Sequence, residues 1–156
     1  LKIRPYVTYF HSSIYMADIA NGDICVAIGY SGSFSQAANN ARQANNGVVV
    51  DMRLPKEGAP IWFDMMAIPK DAQNVAQAHT FINYLLEPTV IAPISDFVGY
   101  PNPNRDATAL VNPAIRNNPN LYPTAEAMKT LYTLEPLPQK AERARTRAWT
   151  KIKTGT

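Results

Sequence analysis

The run from Pro60 to Pro69 (PIWFDMMAIP) constrains this chain more than any other stretch. Proline bounds it at both ends, no glycine interrupts it, and its residues alternate as an extended strand requires. Successive side chains on such a backbone point to opposite faces. Ile61, Phe63 and Met65 then turn toward a core, and Trp62, Asp64 and Met66 share the other side. The run contains no Lys or Arg to neutralise the acid. An indole beside a free carboxylate suits an organic ammonium ion. The ring attracts the cation by about 0.5–2 kcal/mol, and the carboxylate adds a charge-assisted hydrogen bond. Alternation alone is equally met by Trp62 packing in the core and Asp64 capping a neighbouring backbone group.

The chain has 156 residues, 46% hydrophobic and 17% charged, with 13 prolines, which is material for one ordinary domain or for pieces of two lobes. No apolar run reaches the length of about 18 residues that suggests a membrane span. The opening LKIRP, with neither an initiator Met nor an apolar signal segment, reads as a processed or truncated start. The lone Cys25 lies in an apolar run, which predicts a buried thiol acting as a small hydrophobe. Net charge is only +3. Lys140, Arg143, Arg145, Arg147, Lys151 and Lys153 face a single acid, Glu142, near the C-terminus. No nucleic-acid motif accompanies them, so they read as the solvated side of a terminal helix docked through Trp149 and Ile152.

In chain order, residues 12–20 predict a short helix capped by Ser12 or Ser13 and stopped at Asn21-Gly22. Residues 23–30 predict a buried strand that enters the small-residue turn 29–33, with a helix from 34 to 44. A strand, turn and helix in that order is where α/β folds place ligands. The turn lacks the phosphate-binding lysine and the three-glycine spacing. Residues 48–54 predict another strand, and 55–58 a turn into the organising run. Asp71 is placed to cap a helix that reaches Leu86 and carries His79 on its apolar side. A second helix follows from Pro88, then the loop 99–104. Three short, proline-punctuated helical segments close the chain at 106–117, 124–131 and 138–153. Strands alternating with helices argue for an α/β fold with a mixed sheet.

Catalytic signals are weak. His11 and His79 are far apart, no closely spaced His or Cys could hold zinc, and the 29–33 turn is no nucleophile elbow. Asp18, Asp23 and Asp64 are candidate bases with no activated nucleophile beside them in sequence.

Residues 9–13 (YFHSS), 21–29 (NGDICVAIG), 55–58 (PKEG) with 62–64 (WFD), 81–86 (FINYLL) and 145–151 (RTRAWTK) resemble the bacterial periplasmic polyamine-binding proteins, the putrescine and spermidine receptors of ABC importers. The resemblance covers essentially the whole chain, with the motifs in family order. It implies the type II periplasmic-binding-protein fold, two α/β lobes closing about hinge strands, with only the C-terminal portion present and the N-terminal portion of the same protein as a partner. Residues 1–62 and 105–156 would belong to the second lobe and 63–104 to the first.

The resemblance further implies an aromatic box for the methylene chain and acids for the ammonium ends, at Tyr30, Ser33, Trp62, Asp64 and Tyr100. Ser33 stands where putrescine-binding relatives carry Asp, and Trp62 replaces a hinge-strand Phe. Both changes favour spermidine over putrescine. The expected partners are a polyamine and a membrane ABC permease, in the periplasm, with no cofactor, metal or nucleic acid. The alternative from another class is a small α/β enzyme acting on an amine, with Asp64 as base.

Overall fold

The computed structural model describes residues 2–155, so Leu1 of the opening string lies outside them. After a 3-10 turn at Arg4–Tyr6, two helices, α1 (Tyr15–Asn21) and α2 (Ser31–Ala44), pack against each other. Their contact is made of alanines: Ala20, Ala37 and Ala41 are buried, with Ile19, Val48 and Val50 laid over them. Such small side chains let two helix backbones approach closely. The rings of Tyr15 and Phe34 fill the other end, 5.5 Å apart.

Gly22 ends α1 in the left-handed region at φ 84°. The amide of Asp23 donates to the Asp18 carbonyl at 2.8 Å, closing the helix end. The serines expected to cap this helix do not. His11 Nδ1 accepts from the amides of Ser13 and Ile14 instead, at 3.1 and 3.2 Å. Tyr9 donates its hydroxyl to Asp18 Oδ2 at 2.5 Å, pinning the entering chain to α1.

Helix α3 (Val75–Leu85) leads into α4 (Pro88–Val98), which forms a second cluster with a 3-10 turn at Arg105–Leu110. Ala92, Ala107 and Val111 are buried there, with Ile91, Ile115 and Tyr122 against them. Asn104 caps the 3-10 turn by accepting from the amides of Asp106 and Ala107, and donates to the Leu86 carbonyl. Proline at the first position of α4 suits a helix start, where its missing N–H costs nothing. The short helices α5 (Pro113–Arg116) and α6 (Ala125–Met128) follow. Last comes α7 (Gln139–Thr154), held through Trp149, whose ring meets Phe10 edge-on at 5.1 Å.

Among the described residues one sheet is present, a parallel pair of β1 (Ala59–Pro60) and β2 (Leu131–Tyr132). Gly58, at φ 97°, lies so close to the Thr130 carbonyl that no Cβ fits between them. The expected mixed sheet is therefore not formed here. Residues 48–54 keep the burial alternation of a strand: 48, 50, 52 and 54 are partly buried and 49, 51 and 53 exposed. Period two sets an extended backbone, but a strand needs a hydrogen-bonding neighbour. No described residue supplies one to 23–30 or 48–54. Ile28 is accordingly 99% exposed and Val26 84%, Cys25 is exposed, and 23–30 is not the buried strand its composition suggests. Phe63 and Met65, expected in the core, are exposed as well. His79 lies on the open side of α3, and Asp71 caps nothing, because α3 begins only at Val75.

The Tyr9 hydroxyl is pushed up to about 12, first by its hydrogen bond to Asp18, then by burial and by the charges of Asp18 and Asp23. A phenol that ionises later in the folded chain than at its ordinary value of about 10 lends stability that is complete below that value. That contribution is lost as pH rises through about 12. Subtracting the phenolate absorbance titration of a Tyr9→Phe variant from that of the parent should leave one tyrosine ionising near 12. A difference centred on the ordinary value would refute the assignment.

Candidate functional site

The first turn of α2 gathers four of the five residues singled out in the sequence. Tyr30 is the N-cap, in an extended backbone conformation. Its amide donates to the Tyr15 hydroxyl at 3.1 Å, so Tyr15, buried in the α1–α2 contact, fixes where Tyr30 stands. The Tyr30 ring meets Trp62 edge-on, with centroids 5.2 Å apart and planes at 75°. That is a favoured geometry for two aromatic quadrupoles. Both rings stay about half exposed.

One turn into the helix, the Ser33 and Tyr100 hydroxyls lie 3.4 Å apart. The Tyr100 ring lies flat over Gly32, leaving no room for a Cβ. Gly29 likewise has none, because the Tyr15 hydroxyl occupies that space. Gln36 donates to the Val98 carbonyl at 3.1 Å, and Gly99, at φ 71°, sits against Ser35. The loop carrying Tyr100 is thus stitched to α2 at three successive residues.

Asp64 lies two residues beyond Trp62 on the extended run. It is exposed and makes no hydrogen bond or ion pair with another described residue. Asp18, another of the three carboxylates considered as bases, is engaged by Tyr9. The surface therefore offers an aromatic pair, two hydroxyls and one uncommitted carboxylate. It is an open platform, suited to bind a cation with an apolar body and without groups to activate one. A depression elsewhere, lined by Ile19, Ile24, Cys25 and residues 48–51, has no aromatic wall, and its Asp51 is paired with Arg53 at 2.8 Å. Among the described residues no three His, Cys, Asp or Glu side chains cluster to hold a metal, and no helix is long and apolar enough to cross a membrane.

Tyr15 and Gln36 were not anticipated as parts of this arrangement, whereas Gly29 and Gly32 lie in the 29–33 turn read from the sequence as a place for ligands. The signal lay in the glycines that bracket Tyr30-Ser31, since glycine is preferred where another group presses on the backbone.

Residues 2–124 match a protein family described as bacterial extracellular solute-binding protein. The chain is 59% identical over 155 residues to the putrescine-binding periplasmic protein SpuD of Pseudomonas aeruginosa, covering 99% of this chain and 42% of that one. It is 54% identical to the putrescine-binding periplasmic protein PotF of Escherichia coli over the same shares of each chain. Its structure superposes on the spermidine/putrescine ABC transporter substrate-binding protein PotD from Streptococcus pneumoniae with a TM-score of 0.75 and 28% identity, over 98% of this chain and 46% of that one. The chain thus spans less than half the length of these relatives.

Replacing Gly32 by Ala should push Tyr100 off the helix and lower stability by about 1–3 kcal/mol, the usual penalty of overpacking. Removing the ring as well, in Gly32→Ala/Tyr100→Ala, should recover part of that loss, a coupling that denaturant titration of the double-mutant cycle reads directly. Strict additivity would mean that the two residues do not touch.

Proposed function

The chain belongs to the bacterial extracellular solute-binding proteins, and from that membership we propose that it forms the ligand-gripping part of a periplasmic polyamine receptor serving an ABC importer. The Tyr30–Trp62 pair beside the uncommitted carboxylate of Asp64 carries this reading. The rings would flank the methylene chain, and Asp64 would take an ammonium end. Ser33 and Tyr100 would present hydroxyls at the far side. The names of the relatives, SpuD and PotF for putrescine and PotD for spermidine and putrescine, support the ligand class, the periplasm and the importer. A solute-binding family supplies receptors, and no nucleophile accompanies Asp64, so an enzyme using Asp64 as base is not proposed.

The two-lobe division, with 1–62 and 105–156 in one lobe and 63–104 in the other, is part of the same proposal. The run through Trp62 and Asp64 would be one crossing. The contacts of Val98, Gly99 and Tyr100 with α2 would tie the far end of 63–104 back beside the ligand.

Within the polyamines, two arguments oppose each other. Ser33 in place of an acid, and the larger face of Trp62, favour the longer spermidine. Relatives at 59% and 54% identity named for putrescine favour the diamine. Two positions out of a whole site weigh less than identity on that scale, and putrescine is the ligand proposed here.

Calorimetry on protein carrying both proposed lobes should show Asp64→Asn abolishing tight binding, since leaving a buried ammonium unpaired typically costs about 3–5 kcal/mol. Binding within a few-fold of the parent would remove Asp64 from the site. In competition titrations putrescine should bind at least as tightly as spermidine. A clear preference for spermidine would restore the argument from Ser33 and Trp62. Each of Ser33→Asp and Trp62→Phe should then move the ratio by about 1–2 kcal/mol toward the diamine.

A further inference from the structure

Helix α7 presents a face that its own stability does not explain. Lys140, Arg143, Arg147 and Lys151 recur at spacings of three, four and four, which places them within an arc of about 80° on a helix of 3.6 residues per turn. All four are exposed. Trp149 projects from the opposite side, where it meets Phe10. The only acid of the helix, Glu142, is on that docked side too, paired with Arg145 at 2.6 Å. The outward stripe is therefore purely cationic. Its one hydrogen bond among the described residues is from Arg143 to the neutral Gln139. Lys151 suits the C-terminal end of a helix dipole, but Lys140 and Arg143 stand at the N-terminal end, where positive charge is unfavourable.

We propose that this stripe is a docking surface for an anionic phospholipid bilayer. It is about 16 Å long at 1.5 Å per residue, and the small Ala144 and Ala148 are the apolar residues nearest it. It lacks the aromatic anchor that protein interfaces are built on. It also lacks rings on which bases would stack. Such a row of charges matches an extended field of headgroup phosphates, each basic residue adding attraction near the surface. Trp149 leans on Phe10 on the opposite side of α7, so the helix would lie on the headgroups without inserting that ring. The proposal stands independently of the ligand reading.

Cosedimentation of the whole chain with vesicles tests it. The chain should bind vesicles of equal parts phosphatidylglycerol and phosphatidylcholine, release them in high salt, and ignore pure phosphatidylcholine. Lys140→Gln, Arg143→Gln, Arg147→Gln and Lys151→Gln together should weaken binding by about tenfold or more. The charge-conserving set Lys140→Arg, Arg143→Lys, Arg147→Lys and Lys151→Arg should retain it. A control that removes the same charge elsewhere, Lys2→Gln, Lys56→Gln, Lys70→Gln and Arg105→Gln, should bind like the parent. Equal loss in the two neutralised variants would reduce the effect to net charge and overturn the proposal. So would absence of binding to the anionic vesicles, or stripe-dependent binding to duplex DNA without binding to vesicles.

Discussion

The close approach of side chains to two glycines is the constraint on which the site depends. At Gly29 the Tyr15 hydroxyl comes against the backbone, and at Gly32 the Tyr100 ring does. The first contact lets Tyr15 accept the Tyr30 amide, and so orients the ring that meets Trp62. The second lets a loop distant in sequence settle on α2 and bring Tyr100 to Ser33. A methyl group at either position would force the opposing side chain off the backbone.

The same economy runs through the packing. The α1–α2 contact is built from Ala20, Ala37 and Ala41, and the α4 cluster from Ala92, Ala107 and Val111. Small residues hold the backbones close but remove little apolar surface from water, so neither cluster is a large source of hydrophobic stabilisation. Capping and tethering hydrogen bonds supplement them: Tyr9 to Asp18, Asn102 to the buried Ser95, and Asn104 to Leu86 and to its own turn. Large side chains such as Ile28, Val49 and Met65 remain on the surface. Their exposure follows from extended segments that find no ladder partner among the described residues.

Both proposed surfaces rest on charge left uncompensated. Asp64 is a carboxylate without a cation, beside two half-exposed rings. The outer side of α7 is a row of cations without an acid, while the one acid of that helix is used on the docked side. The first suits a small dication, and the second an extended anionic field. They occupy different elements, so one can be neutralised without disturbing the other.

Local signals in the sequence determined much of the chain's course. Asn21-Gly22 stops α1, Pro88 opens α4, Pro55–Gly58 makes its turn, and Trp149 docks α7, each where composition placed it. Motif order carried the family as well, since strings such as NGDICVAIG are matched as strings, without reference to any contact. Period-two patterning at 48–54 survives as alternating burial, but pairing depends on a neighbouring strand that no local pattern names. Hence the exposed Cys25, Phe63 and Met65, and hence a ladder of two residues where a mixed sheet was expected. Only the tertiary structure decided that Ser33 would meet Tyr100 and that Tyr15 would hold Tyr30. Those contacts join residues 67 and 15 positions apart, and they arise from the packing of α1, α2 and the 98–100 loop, which short-range propensity does not reach.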